Sequence, residues 1–294
     1  MSRPLTVVVL AAGEGKRMGA GIPKPLRLVG GRPMICRVLD ALAELGAPYP
    51  DLAEPYPDLG APCPDLAEPC PDRAEPAREP GPEAGPLDVV VVVGHGAEQV
   101  RAVVADHAPH SLSLHFAEQS HRRGTGDAVT AAVAAEAQLF KRDGDVMVLP
   151  GDTPLLRSHT LSVLLRAHRD TGAAATVLVA RPADPSGYGR VIRDEAGEVA
   201  RIVEERDATG AEAATGEVNT SIYCFRAELL GPALAQLRPG NAAAELYLTD
   251  VVGILKAGGN AVGSVLVADS AEVAGVNDPA QLAAAEAHLR ARTE

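Results

Sequence analysis

Two glycines and three cations stand close together near the start of the sequence: Gly13 and Gly15, then Lys16, Arg17 and Lys24. They follow an apolar run, Leu5 to Leu10, that stops at Ala11-Ala12. The backbone of a glycine-containing loop can come close to a ligand and take φ > 0, and its N–H groups bind phosphate oxygens. The cations beside it favour a polyanion, so the chemistry indicated is the handling of a nucleotide phosphate. Two familiar loops are excluded. Met18 stands where the dinucleotide fingerprint needs its third glycine, and no Gly-Lys-Ser/Thr follows. Spacing alone leaves open a purely steric role for the glycines. Two further stretches carry chemistry. Glu118-Gln119 and Gly124-Thr125-Gly126-Asp127 place a second loop at a helix start. Asp152 lies just past the apolar run Asp145 to Leu149, in the crevice where α/β proteins bind ligands. A capping role for Asp152 is weak, because the next helix begins about seven residues later. His107, His110 and His115 lack the cysteine or carboxylate spacing of a metal site, and none is expected there.

These groups need a scaffold, and the hydrophobic pattern supplies one. Continuous apolar runs at 5–10, 88–93 and 145–149 read as strands buried on both faces. Helical spacing recurs over 34–45, with Pro33 at its first turn, and over 97–107, 128–139, 160–171, 227–237 and 280–292. Further strands are predicted at 112–116, 174–180, 199–203, 217–225 and 261–267. The alternation predicts an α/β chain, a Rossmann-like, mostly parallel mixed sheet flanked by helices.

Residues 48–75 interrupt it with four copies of a seven-residue repeat beginning Pro-Tyr/Cys-Pro-Asp. Half of the 24 prolines lie between 48 and 86, which forbids a regular helix there. The expectation is a single domain over 1–294 with a disordered surface insertion at about 47–86, since long loops cost little entropy to close. The insertion also carries most of the net charge of −12; without it the balance is that of an ordinary soluble enzyme. No basic stripe favours a nucleic acid, and no apolar run is long enough to cross a membrane. The first apolar run is too short for a secretory signal, and the four cysteines form no Cys-x-x-Cys pair. A cytoplasmic protein without a disulfide framework is expected.

The motifs, taken in order, resemble one family. They are Leu10 to Met18, Pro23-Lys24-Pro25, Glu118-Gln119, Gly124-Thr125-Gly126, Gly151-Asp152, Gly187-Tyr188-Gly189-Arg190, Ile202-Val203-Glu204, Glu217-Val218-Asn219-Thr220, Asn241 to Asp250 and Gly275-Val276-Asn277. The set is similar to the sugar-1-phosphate nucleotidyltransferases, and within them to the uridyltransferase domain of the bifunctional enzymes that make UDP-N-acetylglucosamine. The resemblance implies a nucleotide-diphospho-sugar transferase fold and a set of roles. Leu10, Ala11, Ala12, Gly13, Gln119, Gly124 and Thr125 would hold the nucleotide. Arg17 and Lys24 would be catalytic, on the triphosphate and the transferring phosphoryl group. Tyr188, Gly189, Glu204, Asn219 and Thr249 would hold the sugar. Asp152 and Asn277 would hold Mg²⁺. UTP and a sugar 1-phosphate would be the partners, and a homo-oligomer stays open.

Three departures from the family are visible. Asp127 stands where the family has His, and Thr220-Ser221 where it has a small residue and Gly. No hexapeptide repeats of a left-handed β-helix follow the last helix, so no acetyl-transfer activity is expected. Two other readings remain: the same reaction on another sugar or base, and a nucleotide-sugar-binding protein without turnover.

Overall fold

The computed structural model describes residues 3–19, 21–45, 86–140 and 143–293. The expected insertion and its repeat lie outside the described residues. In chain order the elements are β1 (Leu5–Ala11), β2 (Leu28–Val29), β3 (Arg32–Pro33), α1 (Met34–Leu45), β4 (Leu87–Val93), α2 (Ala97–His107), β5 (Leu112–Glu118), α3 (Thr125–Ala135), α4 (Ala137–Phe140) and β6 (Asp145–Pro150). There follow α5 (Ser158–Thr171), β7 (Ala175–Ala180), β8 (Arg190–Arg193), β9 (Val199–Val203), α6 (Gly210–Ala213), β10 (Val218–Arg226), α7 (Ala227–Leu234), α8 (Thr249–Ala257), β11 (Val262–Leu266) and α9 (Pro279–Thr293).

The main sheet runs β11-β7-β10-β6-β1-β4-β5, with the β8–β9 hairpin joined to β10. All neighbours along that path are parallel except β10, which is antiparallel to both β6 and β7. β1 is central, between β4 and β6, so both its faces are buried and its continuous Val run is explained. Alternation sends Val7, Val9 and Ala11 to the face covered by α1, α2 and α5. It sends Val8 and Ala12 to the face covered by α3, α7 and α8. A smaller cluster of Met18, Val29, Met34, Leu155, Val276 and Ala285 pins α9 and the chain before it against the first loop.

Several boundaries differ from the sequence reading. Pro33 ends β3 and the helix starts one residue later, at Met34. The helix expected over 128–139 starts at Thr125, because Gly124 at φ 108° turns the chain into it, and it breaks at Glu136. α7 stops at Leu234, short of 237. Among the described residues no helix is long and apolar enough to cross a membrane.

Candidate functional site

The carboxyl ends of β1, β4, β5 and β6 form one rim, and the loops leaving them carry the site. The β1 loop is Ala12 to Gly15, closed by a 3-10 turn at Lys16–Met18. Gly15 has φ 63°, and a Cβ there would lie 2.6 Å from the Lys24 Cβ. Gly15 is thus a steric requirement of bringing Lys24 against the loop. Ala11 and Ala12 are buried, whereas Gly13 borders open space. The Leu10 carbonyl accepts from Gly151 N at 2.9 Å, which ties this loop to the turn carrying Asp152.

Lys24 joins the first and last thirds of the chain. Its ammonium pairs with Asp152 Oδ2 and donates to Asn277 Oδ1 at 2.6 Å. Val276 N donates to the Asp152 carbonyl at 2.9 Å, so the two oxygen-bearing residues are locked side by side. Asn277 Nδ2 turns to the Gly275 carbonyl at 3.4 Å, leaving Oδ1 for the cation. Two oxygens, one charged and one neutral, thus converge on one cationic nitrogen. That donor set fits Mg²⁺, which takes oxygen ligands and commonly one or two from protein. Arg17 is exposed, and no described residue pairs with its guanidinium.

A second group gathers where β8, β9 and β10 meet α8. Asn219 N donates to the Gly189 carbonyl at 2.9 Å, and Thr249 Oγ1 donates to Glu204 Oε1 at 3.0 Å. Burial raises the Glu204 carboxyl above its ordinary value; Thr249 opposes this, and the nearby charges of Asp250, Asp207 and Glu245 add to it. Burial, with the Asp152 charge behind it, raises the Tyr188 phenol, so this group lies within electrostatic reach of Asp152. Asn219 is buried and its amide is engaged at both ends: Nδ2 donates to the Tyr223 hydroxyl at 2.8 Å, and Oδ1 accepts from Ser221 N at 3.1 Å. The strand bulges here, with Ser221 at φ 62°, a conformation that costs a non-glycine residue of the order of 1–2 kcal/mol. Tyr223 was missed by the sequence reading, although strand alternation places it on the face of Asn219.

Glu204 gives a pH-dependent expectation. A partly buried carboxyl with a raised value holds its proton more tightly folded than unfolded, so stability falls as pH rises through the interval above 4.5. Glu204→Gln removes the charge while its carbonyl still accepts from Thr249. The urea midpoint of the variant should match or exceed that of the parent at pH 7, the difference vanishing near pH 4. A variant less stable at pH 7 would contradict the buried-charge account.

The third group surrounds the start of α3. Gln119 is buried and Nε2 donates to the Gly124 carbonyl at 3.0 Å and to Asp127 Oδ2 at 2.9 Å. A Cβ on Gly124 would lie 2.5 Å from the Leu246 carbonyl. That segment is stitched to the loop, since Gly126 N donates to Leu246 O at 2.8 Å and Leu248 N to Thr125 Oγ1 at 3.0 Å. Thr249, next in the chain, belongs to the second group, so the two groups share a support. His107 and His115 instead lie on α2 and β5, with His115 facing Asp88 and Glu136. Among the described residues no cluster of three or more His, Cys, Asp or Glu is arranged to hold a metal.

A family model for the MobA-like NTP transferase domain matches residues 7–247. The bifunctional protein GlmU of Corynebacterium efficiens is 41% identical over 288 residues, covering 98% of this chain and 51% of that protein. Its namesake in Thermobifida fusca is 41% identical over 292 residues, covering 99% and 52%. The chain thus spans about half the length of the curated relatives it matches. Among solved structures, UDP-glucose pyrophosphorylase complexed with UDP-glucose superposes with a TM-score of 0.67 at 13% identity, covering 98% of this chain and 99% of that one. That likeness is one of fold.

Proposed function

The chain belongs to the family of MobA-like NTP transferase domains, and on that premise we propose that it transfers a uridylyl group from UTP to N-acetylglucosamine 1-phosphate with release of pyrophosphate. The observation that carries this reading is the meeting of Lys24, Asp152 and Asn277 at the carboxyl ends of β1 and β6. A phosphate oxygen of the sugar substrate attacks the α-phosphorus of UTP, the bond to the β-phosphate bridging oxygen breaks, and pyrophosphate leaves. The step needs no protein nucleophile; it needs two polyanions held in line with their charge compensated. Both described cysteines are buried, and burial pushes the Cys36 thiol up to about 11, so neither is suited to attack.

In this reading Lys24 and Arg17 hold the phosphates, Lys24 as a point charge and Arg17 as a planar fork. Leu10 to Gly13, Gln119, Gly124 and Thr125 hold the uridine. Tyr188, Gly189, Glu204, Asn219 and Thr249 hold the sugar. Asp152 and Asn277 are the residues that would hold Mg²⁺, which when bound neutralises phosphate charge. The chain acts as one nucleotidyltransferase domain, with the 47–86 segment and its 48–75 repeat as an insertion, on small-molecule substrates in the cytoplasm. The relatives named above and the shared fold support the reading.

A second reading keeps the reaction and changes the sugar. It is favoured by one observation, the side chain that Ser221 carries at φ 62° next to Asn219. The experiment is pyrophosphate release from UTP, with and without Mg²⁺, across a panel of sugar 1-phosphates. Release that requires N-acetylglucosamine 1-phosphate supports the first reading, and release with a different sugar the second. Silence with every sugar and nucleotide, with UTP still bound, would leave a binding protein.

A further inference from the structure

We propose that Asp127 is a positioning residue that fixes which end of the Gln119 side chain faces the base, and so selects UTP over CTP. The proposal rests on the reading above, in which Gln119 holds the uracil. Gln119 is held at the end of β5 by its own N–H, which donates to the Val93 carbonyl at 2.9 Å. Its side-chain amide has two hydrogens, and Gly124 O and Asp127 Oδ2 provide two acceptors, at 3.0 and 2.9 Å. No described group donates to Gln119 Oε1, so the amide presents an acceptor to whatever ligand it meets.

Reversing that amide would set Oε1 against two oxygens. A carboxylate offers only acceptors, and a guanidinium only donors. Asp127 is held in this state from behind, because Arg123 donates to Oδ1 through Nη2 at 2.8 Å and Nε at 3.2 Å. Asp127 also lies in the first turn of α3, where the helix dipole favours an anion. Arg123 and Gln119 thus both donate to Asp127 from opposite sides, which leaves the Gln119 oxygen as the acceptor at the end of the array. Uracil carries a hydrogen on N3 and can donate to that acceptor. Cytosine carries a lone pair on N3 and opposes it.

The test is the ratio of kcat/KM for UTP and CTP, with the best sugar phosphate from the panel above. In Asp127→Asn the new oxygen must face Arg123, which only donates. The new NH₂ then faces Gln119 and opposes the Gly124 carbonyl, which still calls for a donor, so the amide is no longer held in one orientation. The UTP/CTP ratio should fall by about 10- to 100-fold, the scale of one mispaired polar contact in a closed site. The change should appear mainly in KM, with CTP used better in absolute terms. Removing the guanidinium as well, in Asp127→Asn with Arg123→Ala, frees the Asn oxygen to face Gln119 and should restore most of the ratio. Arg123→Ala alone should leave it unchanged. A merely structural role predicts no such rescue. Gln119→Ala separates the two layers of the argument. If that variant keeps the parent ratio, the base-binding reading of Gln119 fails. If it loses the ratio while Asp127→Asn keeps it, the reading stands and the proposal for Asp127 is overturned. Should Asp127→Asn not fold, Asp127→Ala removes the Asp127 acceptor and leaves the Gly124 carbonyl alone to orient the amide, so the ratio should fall by a smaller factor, and an unchanged ratio there would overturn the proposal equally.

Discussion

Replacing Asp152 by alanine should reduce pyrophosphate release from UTP by about 10³-fold, the rate equivalent of the several kcal/mol that a bound cation's charge supplies to such a transition state. The structure allows two explanations for such a loss, and they can be separated. Asp152 could act by holding the cation with Asn277, or by anchoring Lys24 through the ion pair between them. Asp152→Asn keeps an oxygen that accepts from Lys24 but carries no charge. If the charge matters through cation binding, Asp152→Asn should be nearly as slow as Asp152→Ala, and both should need a much higher Mg²⁺ concentration for half-maximal rate. If anchoring matters, Asp152→Asn should retain most of the activity and the Mg²⁺ titration should not move. Asp152 and Lys24 both retain some access to solvent, with side-chain exposures of 20% and 12%. Asp152→Asn keeps an acceptor for Lys24, so its urea midpoint should stay close to that of the parent, whereas Asp152→Ala leaves a largely buried ammonium without its carboxylate and should lower the midpoint, so the rates are compared per folded molecule.

The sequence showed the candidate site in pieces and hid the way they fit. β1, β4 and β6 were legible because each is a continuous apolar run, the signature of a strand buried on both faces. The two-residue hairpin of β2 and β3 was not, since two residues carry no period. Nor was the break after Ala135, because the alanine run carries no stop signal and the amide of Glu136 still bonds back to Ala132. α6 was overlooked although Thr209 and Glu212 form a capping box that spacing alone could have suggested. Lys24 and Asn277 are 253 residues apart, and a lone amide near a chain's end looks like any other. Only family resemblance named it, and only the pairing of Val276 with Asp152 explains why it arrives. Asp127 was legible as an unusual residue but not as a partner of Gln119. That contact depends on Gly124 at φ 108°, a conformation that glycine permits but does not announce.

At the opposite end of β6 from the candidate site, one buried carboxylate ties three elements together, and its removal should cost the fold a substantial part of its stability. Asp145 opens β6 with its side chain wholly buried. Arg169 Nε donates to Oδ2 at 2.6 Å, His168 Nε2 lies 3.6 Å from Oδ1, and Arg3 reaches within 3.9 Å. The other ring nitrogen of His168 meets Thr176 Oγ1 at 3.0 Å, so the network spans α5, β6 and β7. Burial alone would raise the Asp145 carboxyl, but His168 and Arg169 outweigh it and hold the group below its ordinary value of 3.8. Asp145→Ala leaves the buried His168 and the partly exposed Arg169 without their carboxylate. Breaking a buried pair from one side costs about 3–5 kcal/mol, a large part of the roughly 5–15 kcal/mol that holds a typical domain folded. A carboxyl whose value is lowered by folding contributes stability above its ordinary value and loses it as pH falls below. The gap in urea midpoint between parent and Asp145→Ala should therefore be wide at pH 7 and should narrow below about pH 4. An equal gap at both pH values would assign the loss to the cavity and not to the charge. Turnover per folded molecule should not change, because the six residues of β6 hold this network roughly 17 Å from Asp152.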